Sequence, residues 1–430
     1  MSSTDYGFDT LQLHAGQTPD LSTGARAVPI YQSTSFCYGS AEEAAAVFSG
    51  EQPGYTYSRI VNPTVDVLEK RVTALEQGVD TVCFSSGMGA ISAAVMALCE
   101  SGDELVAMST LYGGTYTLFA GRLKEQCGIT ARFVNIDDFK AVENAINDRT
   151  RCVYIETIGN PAANIPEIEA IADIAHRHGL PLIADNTFGT PYLITAKNHG
   201  IDIVIHSLTK YMGGHGTSLG GSVTDQGTFD FHSPRFPRFT APDKVNHDII
   251  YADQPAPVAA RLRIQMIRDF GACLSPFNAF LILLGTETLS LRVDRHVRNA
   301  LAVAEFLKGH PAVSYVHYPS LTSDPYYERA QKYLPKGAGA IMSFGVKGGL
   351  TAGRQLMNRV KLFSILANVA DAKSLIIHPA STTHGQMTEE ELKLSGVAPE
   401  LVRLSIGLED INDIIADLKQ ALEGECKHAR

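Results

Sequence analysis

The sequence predicts an α/β protein: a mostly parallel sheet covered by helices, followed by a smaller C-terminal α+β portion. Three observations carry this reading. From about residue 64 to 210, short apolar runs alternate with helical patterns of about 10–15 residues, the rhythm of βαβ units. Several runs, such as "RCVYIET" at 151–157, are apolar on successive residues, as strands buried on both faces are. After residue 311 the pattern changes, and strands such as "AVSYVHY", "AIMSFGV" and "LVRLSIG" mix with helices.

The elements follow in chain order. Residues 1–63 are rich in Gly, Ser and Tyr and read as an extended arm, relieved by one short helix pattern, "SAEEAAAVFSG". "TVDVLEKRVTALEQG" is a helix stopped at Gly78. Strand "DTVCFSS" leads into helix "GMGAISAAVMALCESGD", and strand "ELVAMS" into helix "GGTYTLFAGRLKEQCG". "ARFVNI" and "FKAVENAIND" form the next pair. "RCVYIET" is followed by "IPEIEAIADIAHRHG", and then come "LPLIADN" and "DIVIHSLTK". Residues 225–260 are rich in Phe, Pro and Asp and read as a long irregular insertion; loops of that length are more often functional than accidental. "SPFNAFLILLGTETLSLRVDRHVRNALAVAEFLKGH" is one long or kinked helical pattern. The expected division is an arm over 1–63, a large domain over 64–279 containing the insertion, and a small domain over 280–430, matching a length prior of two or three domains.

Composition excludes several classes. The 430 residues are 45% hydrophobic and 19% charged, enough to bury a large core. A net charge of −10 argues against bulk nucleic-acid binding, which needs a basic surface. The seven cysteines (Cys37, Cys83, Cys99, Cys127, Cys152, Cys273, Cys426) are scattered without a C-x-x-C pair, so neither a disulfide framework nor a metal site is expected. No secretory pattern opens the chain, and the longest apolar stretch, 277–285, is far short of the ~18 residues that cross a bilayer. A cytoplasmic protein is expected.

The chemistry centres on "IHSLTKYMGGHG", where Lys210 ends a strand-like run and precedes three glycines. Ligands of open α/β sheets bind beyond the carboxyl ends of strands. A lysine amine there can form a Schiff base with a carbonyl, provided neutral amine is available. Ser207 and Thr209 supply hydroxyl donors beside it. One strand earlier, "LIADN" ends in Asp185. A lysine for a Schiff base and an aspartate for a pyridinium nitrogen are the two partners that pyridoxal phosphate requires. In "SSGMGAISAA" the amides of Gly87 and Met88 open a helix and can face an anion. The same stretch imitates half of a dinucleotide fingerprint, with Ser92 at the third glycine position and Asp103 and Glu104 early for a ribose. A nicotinamide-dependent dehydrogenase is therefore the rival of a different class.

"YTYSRIVNPT", "SSGMGAI", "YIETIGNP", "ADNTFGTPY", "HSLTKYMGGH" and "RLSIGLED", in this order, resemble the Cys/Met-metabolism family of pyridoxal-phosphate enzymes, from about residue 9 to 422. The resemblance implies a fold-type I architecture with a seven-stranded, mostly parallel sheet, and pyridoxal 5′-phosphate as cofactor. It implies that Lys210 carries the cofactor and then moves protons, that Asp185 pairs with the ring nitrogen, and that Tyr112 stacks on the ring. Gly87, Met88, Ser207 and Thr209 would hold the phosphate, and Asn160 the phenolic oxygen. Tyr57 and Arg59 would reach the phosphate from the neighbouring subunit, in a homotetramer built as a dimer of dimers. Tyr57 and Tyr112 are candidates for assisting proton transfers. Arg403 would grip the substrate α-carboxylate, with Ser374 and Asn160 beside the substrate. Within the family, the 225–260 insertion and Lys373 resemble O-acetylhomoserine sulfhydrylases, and Gly114 stands where methionine γ-lyases typically carry cysteine. The implied reaction makes homocysteine and acetate from O-acetylhomoserine and sulfide; cystathionine γ-synthase and the γ-lyases are its sibling alternatives. Ala370 departs from the glycine expected before Asp371. His206, His215 and His384 lie near the motifs and read as structural histidines.

Overall fold

A computed structural model describes residues 6–382, 385, 392 and 397–424. Two sheets organise it. The larger is formed by β1 (Asp80–Phe84), β2 (Glu104–Met108), β3 (Thr130–Val134), β4 (Thr150–Glu156), β5 (Leu182–Asp185), β6 (Ile203–His206) and β7 (Gly221–Asp225), in the order β1-β7-β6-β5-β4-β2-β3. Strands β2 to β6 pair parallel, and β7 alone runs against both its neighbours. The expected seven-stranded, mostly parallel sheet is therefore present.

Its central strands are buried on both faces. Cys152, Val153, Tyr154 and Ile155 of β4 are wholly inaccessible, which explains the unbroken apolar run in the sequence. Helices cover the sheet where their stripes allow. The helix Pro63–Glu76 begins at Asn62, whose side chain accepts from the Thr64 amide at 2.9 Å, with Pro63 at the first position. Its Leu68, Val72 and Leu75 face the core. The helix Ile168–Arg177 buries Ile171, Ile174 and Ala175 at helical spacing.

Three expectations change. β7, "GSVTD", went unseen because it carries one apolar side chain; hydroxyls fill its buried positions, and Thr224 Oγ1 meets Thr81 Oγ1 of β1 at 2.8 Å. The long helical pattern is two helices, Pro276–Thr286 and Leu289–Lys308, parted at Glu287–Thr288. The insertion is a packed aromatic layer: Phe231, Phe236 and Phe239 are buried, Phe231 stacks on Phe239 with centroids 4.3 Å apart, and Arg261 covers the Phe239 ring at 5.0 Å.

The smaller sheet holds β8 (Val313–His317), β9 (Ile341–Val346), β10 (Ser364–Ile365), β11 (Leu375–Ile377) and β12 (Leu401–Ser405), in the order β10-β11-β12-β9-β8. β10 and β11 are too short to register in a sequence pattern. β12 is its middle strand, with Arg403 opposite Ser343 of β9 and Ile377 of β11. Among the described residues, no helix is long and apolar enough to cross a membrane.

Candidate active site

Strands β4, β5 and β6 end side by side, and their carboxyl ends floor a cavity of about 310 Å³. The site is built from that floor upward. Asp185 is the last residue of β5, and its carboxylate accepts the Thr187 amide at 3.0 Å. Enclosure raises its pKa above the ordinary carboxylate value, opposed by the bonds from Thr187.

Lys210 follows β6 in a tight turn closed by its own amide to the Ser207 carbonyl at 3.1 Å. Its Nζ donates to Asn368 Oδ1 at 2.5 Å, and no carboxylate lies within ion-pair distance among the described residues. Loss of water, then the nearby Arg403 charge, lowers its pKa to about 8. That supplies neutral amine near physiological pH, which a Schiff-base lysine needs.

Opposite the turn begins the helix Gly87–Leu98. Ser86 caps it, accepting the Gly89 amide at 3.1 Å, while the Gly87 and Met88 amides have no acceptor among the described residues. A Cβ on Gly87 would stand 2.7 Å from Ser207 Cβ, so glycine is what lets this helix start lie against the β6 turn. The Ser207 hydroxyl is uncommitted among the described residues, whereas Thr209 shares its own with the Gly220 peptide (3.1 and 3.3 Å). Free amides at a helix start beside a hydroxyl fit a phosphate.

The far wall comes from the small sheet. Arg403 extends from β12 and donates through Nη1 to Asn160 Oδ1 at 3.0 Å and through Nη2 to the Asn368 carbonyl at 3.4 Å. It is 5% exposed and has no carboxylate partner among the described residues. Burial lowers its pKa to about 10, still a cation at neutral pH. A buried, unpaired guanidinium at a cavity wall suits an incoming carboxylate. The Tyr112 ring is half exposed at the mouth, and a Cβ on Gly114 would come within 2.6 Å of it.

The cavity thus gathers Gly87, Met88, Tyr112, Asn160, Asp185, Ser207, Thr209, Lys210 and Arg403. Ser374 is a correction. It does not line the cavity; its hydroxyl donates to Glu409 at 2.9 Å and accepts the Gly407 amide at 2.8 Å, so it ties β11 to the turn after β12 rather than facing a substrate. Tyr57 and Arg59 do not line their own chain's cavity either. Tyr57 is half exposed, and the Arg59 guanidinium lies 5.4 Å over its ring and donates to the Arg268 carbonyl. The 225–260 insertion contributes no wall residue.

Sequence reasoning gave no role to Glu156 and Asn368, both at the cavity. Glu156 sat inside a quoted motif, where its strand-end position was the available signal; nothing local marks Asn368. Buried His206 meets Glu76 at 2.5 Å through Nε2 while its Nδ1 has no partner among the described residues, and exposed His215 meets the Gly213 carbonyl at 2.7 Å; neither lines the cavity. His384 lies outside the described residues. Ala370 does occupy the left-handed region, with φ of 58°, where glycine is more comfortable. Asp103 pairs with Arg151 at 2.7 Å, and Glu104 with Arg132 and Arg149, so the acids of a dinucleotide reading are already spent.

Comparison with known proteins agrees with this geometry. The chain is 49% identical over 421 residues to a homocysteine synthase of Schizosaccharomyces pombe, covering 97% of this chain and 98% of that one. It is 46% identical over 426 residues to an O-acetyl-L-homoserine sulfhydrylase of Leptospira meyeri, covering 96% of each. A Campylobacter jejuni crystal structure, described as an O-acetylhomoserine (thiol)-lyase and bearing a pyridoxyl-lysine phosphate, superposes with a TM-score of 0.94 at 40% identity, over 97% of this chain and 100% of that one. The model of the Cys/Met metabolism PLP-dependent enzymes matches residues 9–423. The dinucleotide alternative is thereby set aside. With residues 9–423 matched by that model and relatives 46–49% identical over nearly their whole length, this chain belongs to the Cys/Met-metabolism family of pyridoxal-phosphate-dependent enzymes.

Proposed function

We propose that the protein is an O-acetyl-L-homoserine sulfhydrylase, which converts O-acetylhomoserine and sulfide into L-homocysteine and acetate. The observation that carries this reading is the convergence of Lys210, Asp185 and Arg403 on one cavity from three different strands or strand ends. The names of the relatives supply the substrate class.

Pyridoxal phosphate, when bound, supplies an aldehyde carbon for an amine and a ring that spreads the charge developing at the substrate α-carbon. The chain's own residues do the rest. The Gly87 and Met88 amides, with Ser207 and Thr209, hold the phosphate. Asp185 keeps a proton on the ring nitrogen, and Tyr112 bounds one ring face. Asn160 serves the phenolic oxygen and, through its bond to Arg403, orients the guanidinium for the substrate carboxylate. Lys210 Nζ takes the α-proton and returns it; a base with a pKa of about 8 suits that exchange. Asn368 steadies the amine between transfers.

Tyr57 and Arg59 act in the neighbouring subunit's cavity, which makes the working unit at least a dimer and, in this reading, a cytoplasmic homotetramer. That neither lines its own chain's cavity supports that assignment. The arm over 1–63 would then be an intersubunit element, with a large domain over 64–279 and a small one over 280–430.

The test is a product assay with O-acetylhomoserine and sulfide. Homocysteine and acetate in equal amounts are expected; release of ammonia and 2-oxobutyrate in their place would identify γ-elimination and overturn the reading.

A further inference from the structure

We propose that Glu156 is the positioning residue of this site, a single carboxylate that fixes Tyr112 and Asn160 in relation to one another by giving one oxygen to each. The inference rests on the reading of the cavity given above. Glu156 closes β4, directly opposite Asp185 of β5 in the sheet register. It is 4% exposed. Its Oε1 accepts the Tyr112 amide at 2.7 Å, and its Oε2 accepts the Asn160 amide at 3.1 Å. Neither amide has another acceptor among the described residues.

The two anchored residues belong to different loops, after β2 and after β4. One bounds a ring face; the other holds Arg403 at 3.0 Å. Glu156 therefore joins the loop that bounds the ring to the wall that receives the carboxylate. No lysine or arginine lies within ion-pair distance of it among the described residues, although a buried carboxylate ordinarily takes a cation. Burial and the adjacent Asp185 both penalise its charge and raise its pKa. An apolar residue would close β4 at less cost. What a carboxylate alone offers is two acceptor oxygens and no donor. Glutamine, of the same shape, has one acceptor and places an NH2 against the second amide whichever way it flips.

The experiment compares Glu156→Gln with the wild-type holoenzyme. The variant should fold, with a melting temperature of the cofactor-free protein within a few degrees of wild type. The visible-region circular dichroism of its bound cofactor should change in sign or fall by about half. Its kcat/KM should drop about 10- to 100-fold, the weight of one hydrogen bond to a charged group. A wild-type dichroic band with kcat/KM within about twofold overturns the proposal. Should Glu156→Gln not accumulate as folded protein, hydrogen exchange on the wild-type holoenzyme decides: Tyr112 and Asn160 amides protected well beyond their loop neighbours support it, and exchange at neighbouring rates overturns it. Borohydride reduction and peptide mapping of the wild type form a separate arm. Label on a residue other than Lys210 would sink the reading of the cavity, whatever Glu156 does.

Discussion

The two ends of the cavity are built in opposite ways. The end proposed for the phosphate offers neutral donors: the Gly87 and Met88 amides and the Ser207 hydroxyl, set by a helix start and a strand turn. Its parts come from two short segments. The amino-acid end uses buried charge. Lys210, Arg403, Asp185 and Glu156 face one space, two cations against two carboxylates, with no direct ion pair among the described residues. Their alignment depends on bonds spanning 243 residues (Arg403 to Asn160) and 158 residues (Lys210 to Asn368). Backbone donors hold an anion by geometry and need little support; buried charges must be held apart and oriented by polar neighbours, or they collapse onto one another.

Substitutions at the two ends should therefore differ in kind. The largest effect is expected for Lys210→Ala, which removes a base worth about 10²–10⁴ and the covalent anchor with it. Turnover should fall at least about 10⁴-fold, and borohydride should trap no cofactor; retained activity without added amine would break the account of the charged end. Arg403→Ala comes next. Truncating a buried, hydrogen-bonded charge costs about 2–5 kcal/mol, so kcat/KM should fall about 10²- to 10³-fold, mostly through KM. A pure kcat effect would show that Arg403 does not grip the substrate.

Gly87→Ala probes the neutral end. Its methyl must displace Ser207, an overpacking cost of about 1–3 kcal/mol, and cofactor affinity should weaken about tenfold or more while KM for O-acetylhomoserine in saturating cofactor changes little. Equal damage to both constants would erase the distinction between the ends.

The titration of Lys210 sharpens it. Burial lowers this amine from 10.5 to about 8, so between those values the unfolded chain holds a proton that the folded chain has released. The cost to folding is complete below about pH 8 and fades as pH rises toward 10.5. Relative to Lys210→Met, the cofactor-free wild type should gain melting temperature across that window; parallel curves would contradict the burial argument. The smallest catalytic effect is expected for Ser374→Ala. Losing two buried hydrogen bonds should cost about 1–2 kcal/mol of stability, with KM within about twofold of wild type. A tenfold rise in KM would return Ser374 to the substrate.

Legibility followed the same division. The alternation of strands and helices was readable because apolar stripes repeat locally, and β4 could be recognised from four successive buried residues. β7 was not, because hydroxyls satisfied by cross-strand partners leave no apolar trace. Gly87, Asp185 and Lys210 could be found as strand ends and helix starts. Asn368 could not, since what distinguishes it is the company it keeps across the fold; Glu156 carried the same strand-end signal, but its two loop partners are visible only in the fold. Ser374 was misjudged for the matching reason: a serine near a site motif looks available until Glu409 and Gly407 are seen to use it.

By itself, the sequence determined the alternation of strands and helices along the chain, the helix that opens at Gly87, and the lysine and aspartate at neighbouring strand ends. These depend on side-chain periodicity and on backbone geometry within a few residues. Only the tertiary structure decided that Arg403 stands over Asn160, that Asn368 holds the lysine, and that one carboxylate of Glu156 serves two loops. The energy of a buried charge is set by whichever atoms surround it, and those atoms come from segments that chain order alone does not bring together.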